Sequence, residues 1–278
     1  MKNLVANNPT AVKTGWCPYH SVINLLNWLG YSKKSATASD PLNVISQPRC
    51  PYARTKSDLT TNVDSLSMTT QAGDPAANQL LDQTRAKIYH WPESFSGFSA
   101  RVMLRSLSGD TTVPFQVSRT GKVEAIWPNS DEGKWLKDQV GEIVSHRIAP
   151  THAEVNKKGV AFDGPENDPM GTKIKFVDDR MQSFYRIKNE RLVEIGRCYP
   201  GTRFVVSIFD HHRMDDKFCA RGYSVHYWNI ESKALIKAEA YVDDYVEREG
   251  FFLPSRRIYT QADGDGLTTR ELLFSYEK

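Results

Sequence analysis

Residues 202–229 read TRFVVSIFDHHRMDDKFCARGYSVHYWN, and this stretch decides the fold. Arg203 to Phe209 is β-branched and aromatic, and Phe218 to Trp228 is a longer aromatic run. Both are strand compositions. Asp210, His211, His212, Arg213, Asp215 and Asp216 lie between them, so the stretch predicts a hairpin closed by a polar loop. Strand-like runs continue on both sides, which places the hairpin at the centre of an antiparallel meander.

Moving toward the C-terminus, Ala234–Val242, Phe251–Thr260 and Thr268–Ser275 are extended runs. Toward the N-terminus come Arg191–Ile195, Gln182–Ile187, Lys173–Val177 and Val160–Phe162, with turn residues such as Pro200-Gly201 and Glu249-Gly250 between runs. Lys122–Trp127, Thr112–Ser118 and Phe98–Leu104 precede them. Two helical stretches interrupt the series. Asp74 to Trp91 opens with an N-cap and a proline, and Pro92 stops it. Ser130 to Arg147 places Trp135, Leu136, Val140, Ile143 and Val144 at helical spacing. The fold expected is α+β: a long helix, then a curved antiparallel β-sheet forming a half-barrel, lipocalin-like in outline, with one inserted helix.

The first 73 residues differ. They lack glutamate and hold prolines at 41, 48 and 51. His20–Gly30 predicts a short amphipathic helix, and 31–75 reads as disordered linker. The expectation is an N-terminal extension over 1–73 and a single domain over 74–278. Residues 1–67 have the composition of a leader, a fusion or an upstream-start extension, with Met68 as an alternative start.

Composition excludes several classes. Hydrophobic content of 40% and charged content of 25% are those of a soluble globular chain. A net charge of +3 with no basic patch argues against a nucleic-acid partner. No apolar run approaches the roughly 20 residues of a transmembrane helix. Cys17, Cys50, Cys198 and Cys219 form no CxxC pair, so neither structural zinc nor a disulfide framework is expected. Cys17-Pro18 and Cys50-Pro51 are the one pattern that suits haem ligation, but their polar surroundings read as coincidence, and no cofactor or metal is expected. P-loop, GxGxxG and GxSxG motifs are absent.

Strict alternation along Phe218–Trp228 puts Arg221, Tyr223 and Tyr227 on one face. That face reads either as a ligand pocket with polar tips or as a packed sheet surface. His211 and His212 point opposite ways on an extended backbone and do not share an ion easily, so the reading is a solvated loop or one histidine acting in acid–base chemistry or as a ligand donor. His146 and Arg147 end the inserted helix. They serve either its dipole or an anion, with His146 a second acid–base candidate. Arg256 and Arg257 face opposite sides of a strand, and Arg257 is the candidate for the pocket.

Tyr89 and Trp91, Phe95 to Leu104, His146-Arg147, His212, and Tyr223 with Tyr227 together make a pattern that resembles the domain of unknown function 3386 family, over about 74–278. The resemblance singles out His212 as the better histidine, the candidate for acid–base chemistry or as a ligand donor. It implies a cyanobacterial or plastid setting, a link to photosynthetic metabolism, and either a cytoplasmic location or the plastid stroma if 1–67 is a transit-like leader. A helix followed by a meander also looks like the lipoprotein-carrier (LolA-like) half-barrel, an analogy of fold alone. The expectation is binding of an apolar or amphipathic small molecule in the half-barrel. The alternatives are a cofactor-free lyase, isomerase or cyclase using His, Arg and Tyr groups of the same pocket, and an assembly factor docking on a larger protein complex.

Overall fold

The computed structural model describes residues 73–149 and 159–277. The expected leader, short helix and linker lie outside the described residues.

The elements in chain order are α1 (Pro75–Ala86), β1 (Gly97–Ser106), β2 (Gly109–Ser118), β3 (Val123–Ala125), α2 (Asp131–Ser145), β4 (Val160–Phe162), β5 (Thr172–Phe176), β6 (Phe184–Lys188), β7 (Arg191–Tyr199), β8 (Thr202–Met214), β9 (Lys217–Asn229), β10 (Leu235–Arg248), β11 (Phe251–Asp263) and β12 (Gly266–Tyr276). All twelve strands form one curved antiparallel sheet in the order β3-β2-β1-β12-β11-β10-β9-β8-β7-β6-β5-β4. The chain lays down β1 to β3, crosses over through α2, restarts at the far edge with β4 and returns as a meander until β12 pairs with β1. β3 and β4 remain as edges, so the sheet is open.

α1 corrects the expectation of a long first helix. It has 12 residues, about 18 Å at the ordinary rise. Asp74 caps it by accepting from the amides of Ala76 and Ala77. The next residues abandon the helix because the sheet offers them better partners. Phe218 donates its amide to Lys87, and Tyr89 returns the bond to Phe218. Trp91 donates to the Arg147 carbonyl at the end of α2. Ile88, Tyr89 and Trp91 are β-branched or aromatic, types that lose side-chain rotamer freedom in a helix. α1 thus runs from the β4 edge, where Asp74 N meets Val160 O at 2.7 Å, to the start of β9.

α2 is capped by Ser130, whose hydroxyl accepts from Gly133 N, and carries Asp131 and Glu132 in its first turn. Its buried face rests on β9, β11 and their neighbours: Trp135 packs on Tyr259 with centroids 5.2 Å apart. Both helices therefore cover one face of the sheet. The opposite face carries exposed ion pairs such as Arg256 to Glu271.

Trp91 stacks on Phe95 at 4.2 Å, and Phe98, Phe115, Phe251 and Tyr276 extend the cluster edge to face. Gly97 starts β1 with φ +99°, and a Cβ there would sit 2.2 Å from the Val117 carbonyl oxygen. The FSGF segment therefore needs glycine at this point, between two aromatic residues that fill the cluster.

The central hairpin differs from expectation in one respect. β8 continues through His211, His212 and Met214, and the turn is reduced to Asp215-Asp216, with Asp215 at φ 58°. The polar loop is thus mostly strand. The register breaks on both sides of Asp210: Ile208 pairs Tyr223, Asp210 pairs Gly222 and His211 pairs Ala220. Phe209 and Arg221 are skipped. These irregularities re-aim the side chains at this end of the hairpin.

Candidate functional site

Where the C-terminal ends of α1 and α2 approach the inner face of β6 to β9, they leave a cavity of about 140 Å³. The apolar part of its floor comes from adjacent strands: Leu192 and Ile195 on β7, Val206 and Ile208 on β8, and Val225 on β9. Val206 pairs Val225 and Ile208 pairs Tyr223 across the ladder, so these side chains share one face. Thr84, Lys87, Ile88 and His90, from α1 and the segment after it, form one wall, and Glu142, His146 and Arg147 form another.

Several titratable groups around the cavity are perturbed. Burial, reinforced by the Arg147 charge, lowers His90 to about 4. Burial and the charges of Arg147 and Arg257 push His146 well below its ordinary range. Both imidazoles are neutral at physiological pH. Burial lifts Glu142 to about 7 against the opposing pull of Arg257. Burial also raises the Cys219 thiol.

Beneath Glu142 lies a buried network. Arg257 is 1% exposed and grips Asp243 through Nε to Oδ1 and Nη2 to Oδ2, each 2.7 Å. It also donates to Gln139 Oε1 at 2.9 Å and to the Tyr223 hydroxyl at 2.9 Å. Tyr223 in turn donates to Glu142 at 3.3 Å, and the Arg257 guanidinium lies 3.6 Å from the same carboxylate. Asp243 and Tyr223 also touch the cavity, so the network is its structural support. A second network gathers Tyr227, Tyr241 and Tyr259 on the carboxylate of Glu239, with the Lys237 ammonium 2.7 Å away.

The sequence-derived candidates separate accordingly. His146, Arg147 and Tyr223 line the cavity. Arg257 stands behind Tyr223. Tyr227 belongs to the Glu239 network and does not reach the cavity. Arg221, skipped by the register, forms a fork with Asp210 at 2.7 Å and Asp244 at 2.9 Å and is 40% exposed. His212 packs against Tyr245 and Phe252, away from the lining, whereas its neighbour His211 lines the cavity and contacts the Leu192 carbonyl at 3.0 Å.

Glu142, Asp243, His90 and Arg191 are the site residues that sequence reasoning missed. For two of them a signal existed. Gln139, Glu142 and His146 stand at i, i+3 and i+7, a polar line within the buried face of α2. Asp243 alternates with Tyr241 and Tyr245, so it shares their face. Among the described residues no group of three His, Cys, Asp or Glu side chains could hold a metal ion, and no helix is long and apolar enough to cross a membrane.

No curated protein matches the chain. Among solved structures, an outer membrane lipoprotein-sorting protein domain from Vibrio parahaemolyticus is similar over 72% of this chain and 92% of its own, at 9% identity and a TM-score of 0.28, a likeness too distant to bear on the site. Residues 72–278 match the family described as protein of unknown function (DUF3386), and the chain belongs to that family.

Proposed function

We propose that this protein binds an apolar or amphipathic small molecule between its helices and the inner face of its sheet. The observation that carries the reading is the cavity itself. Leu192, Ile195, Val206, Ile208 and Val225 give it an apolar floor, and polar or charged side chains from both the helices and the strands, such as Glu142, Arg147, Arg191 and His211, surround that floor. That division is the usual composition of a small-molecule site. The volume admits about ten water-sized positions, enough for a short chain or a ring system. A packed core of this size does not ordinarily leave such a space unfilled.

Decanol tests the reading, because it is an uncharged chain of about the right size. Calorimetric titration of the full chain is expected to give saturable one-to-one binding, lost when Ile208→Trp fills the floor. Absence of saturable binding by both decanol and decanoate, or equal binding by the variant, overturns it.

One observation favours a second reading, acid–base catalysis on the bound molecule. Glu142 lines the cavity with its carboxyl held at about 7, where it exchanges a proton readily at neutral pH. Product formation from a candidate ligand that is abolished by Glu142→Gln, while binding persists, supports catalysis; ligand recovered unchanged from both proteins excludes it for that ligand.

A further inference from the structure

We propose that the occupant of this cavity carries an anionic head group and that Arg147 is its anchor. The inference rests on the small-molecule reading above and adds the chemical class.

Arg147 stands two residues beyond the last residue of α2, is 6% exposed and lines the cavity. Its guanidinium is held in place by neutral partners. One nitrogen donates to the His146 carbonyl at 3.2 Å, another donates to the Tyr245 hydroxyl, and the group lies over the Tyr245 ring at 5.0 Å. Nε has no hydrogen-bond partner. Among the described residues no carboxylate pairs with it.

Arg257 shows what a neutralised arginine looks like in the same protein. Its fork is filled by both oxygens of Asp243. Two carboxylates of the lining are already engaged: Asp243 by Arg257, and Glu142 by Tyr223 and Arg257. A buried guanidinium left without a counter-charge is costly, and an arginine fork matches a carboxylate or a phosphate in geometry as well as in charge. Among the described residues nothing supplies that counter-charge, and a bound anion is the partner that fits it.

Arg191 supplies a second cation to the cavity. It lies over the Phe218 ring at 4.0 Å, its Nε has no hydrogen-bond partner, and among the described residues it has no ion-pair partner. His90 and His146, beside Arg147, each offer a ring nitrogen for a neutral hydrogen bond. An anionic head between the arginines, with its apolar body on the floor of β7 to β9, matches the two arginines and the apolar side chains of the lining. Carboxylates and phosphate monoesters share this chemistry.

The test titrates the full chain with decanoate, decyl phosphate and decanol, which differ only in the head. At least one anion is expected to bind about tenfold or more tightly than decanol. The stronger of the two identifies the head group. In Arg147→Gln the ratio of anion to decanol affinity is expected to fall toward unity, more than in Arg191→Gln. Equal binding of all three to the unaltered protein overturns the anionic head and leaves the apolar cavity standing; failure of all three to bind removes both. Should Arg147→Gln fail to fold, the comparison of heads on the unaltered protein decides, with Arg191→Gln as the second variant, in which a smaller loss of the anion's advantage is expected.

Discussion

Arg257 on β11 and Asp243 on β10 are direct cross-strand partners, and they are also a bidentate ion pair buried beneath α2. The register places them opposite each other, and the cover of α2 removes water from both. The pair is then extended by Tyr223, Gln139 and Glu142 into a network spanning a helix and three strands.

Breaking one side of this pair is expected to be severe. Arg257→Leu leaves Asp243 buried without its partner and should cost about 3–5 kcal/mol. Urea denaturation of Arg257→Leu, Asp243→Leu and the double variant checks this. The double variant is expected to lose much less than the sum, because it leaves no orphaned charge. Additive losses would contradict it.

The pH dependence of stability has two opposed parts. His90 is lowered from 6.5 to about 4, so between those values the folded protein binds fewer protons than the unfolded chain. Its contribution is present above pH 6.5 and lost as pH falls toward 4. Glu142 is raised from 4.5 to about 7, so between those values the folded protein binds more protons. Its contribution is present below pH 4.5 and lost as pH rises through 7, by about 3 kcal/mol at most. Denaturation midpoints at pH 5, 6.5 and 8 should show Glu142→Gln gaining on the unaltered protein as pH rises. A constant gap would count against the burial of Glu142 as the cause.

Gly97 gives a backbone test. Gly97→Ala places a methyl group 2.2 Å from the Val117 oxygen at φ +99°. Gly109 has a similar φ of +114°, but nothing lies within 4 Å of its added Cβ. Both variants carry the conformational strain, about 1–3 kcal/mol, and only Gly97→Ala adds a clash. Thermal unfolding is expected to rank Gly97→Ala clearly below Gly109→Ala; equal losses would mean the close approach to β2 costs nothing.

Ile208→Trp enlarges a half-buried cavity residue and adds no charge. It is expected to weaken binding of decanol and the decyl anions by about tenfold or more, while stability moves by no more than roughly 1–3 kcal/mol. Calorimetry and urea denaturation on the same preparation separate the two effects. Retained affinity would place the ligand elsewhere.

Most of the sheet was legible because its signal is local. Alternation along Phe98–Leu104 or Phe251–Thr260 reflects one inner and one outer face, and each element needs only its own residues to show it. α1 was misread past Ala86 because the residues that end it are remote: Phe218 captures the backbone around Ile88 from 130 positions away. Arg147 and Tyr223 could be singled out as polar groups in apolar settings, and both line the cavity. Arg221 was grouped with Tyr223 by strict alternation, and the irregularities around Asp210 break that rule. Glu142 and His90 escaped because their perturbation comes from burial against other elements, which no single stretch of sequence reports.

Native mass spectrometry of the protein purified from its own source is the most direct test of the bound molecule. The expected result is a chain carrying one constant additional mass, released by organic solvent and identified as an anionic amphiphile, and absent when Ile208→Trp is purified the same way. A bare chain mass for the unaltered protein, together with no saturable uptake of decanol or the decyl anions, would contradict the assignment of this cavity as a binding site.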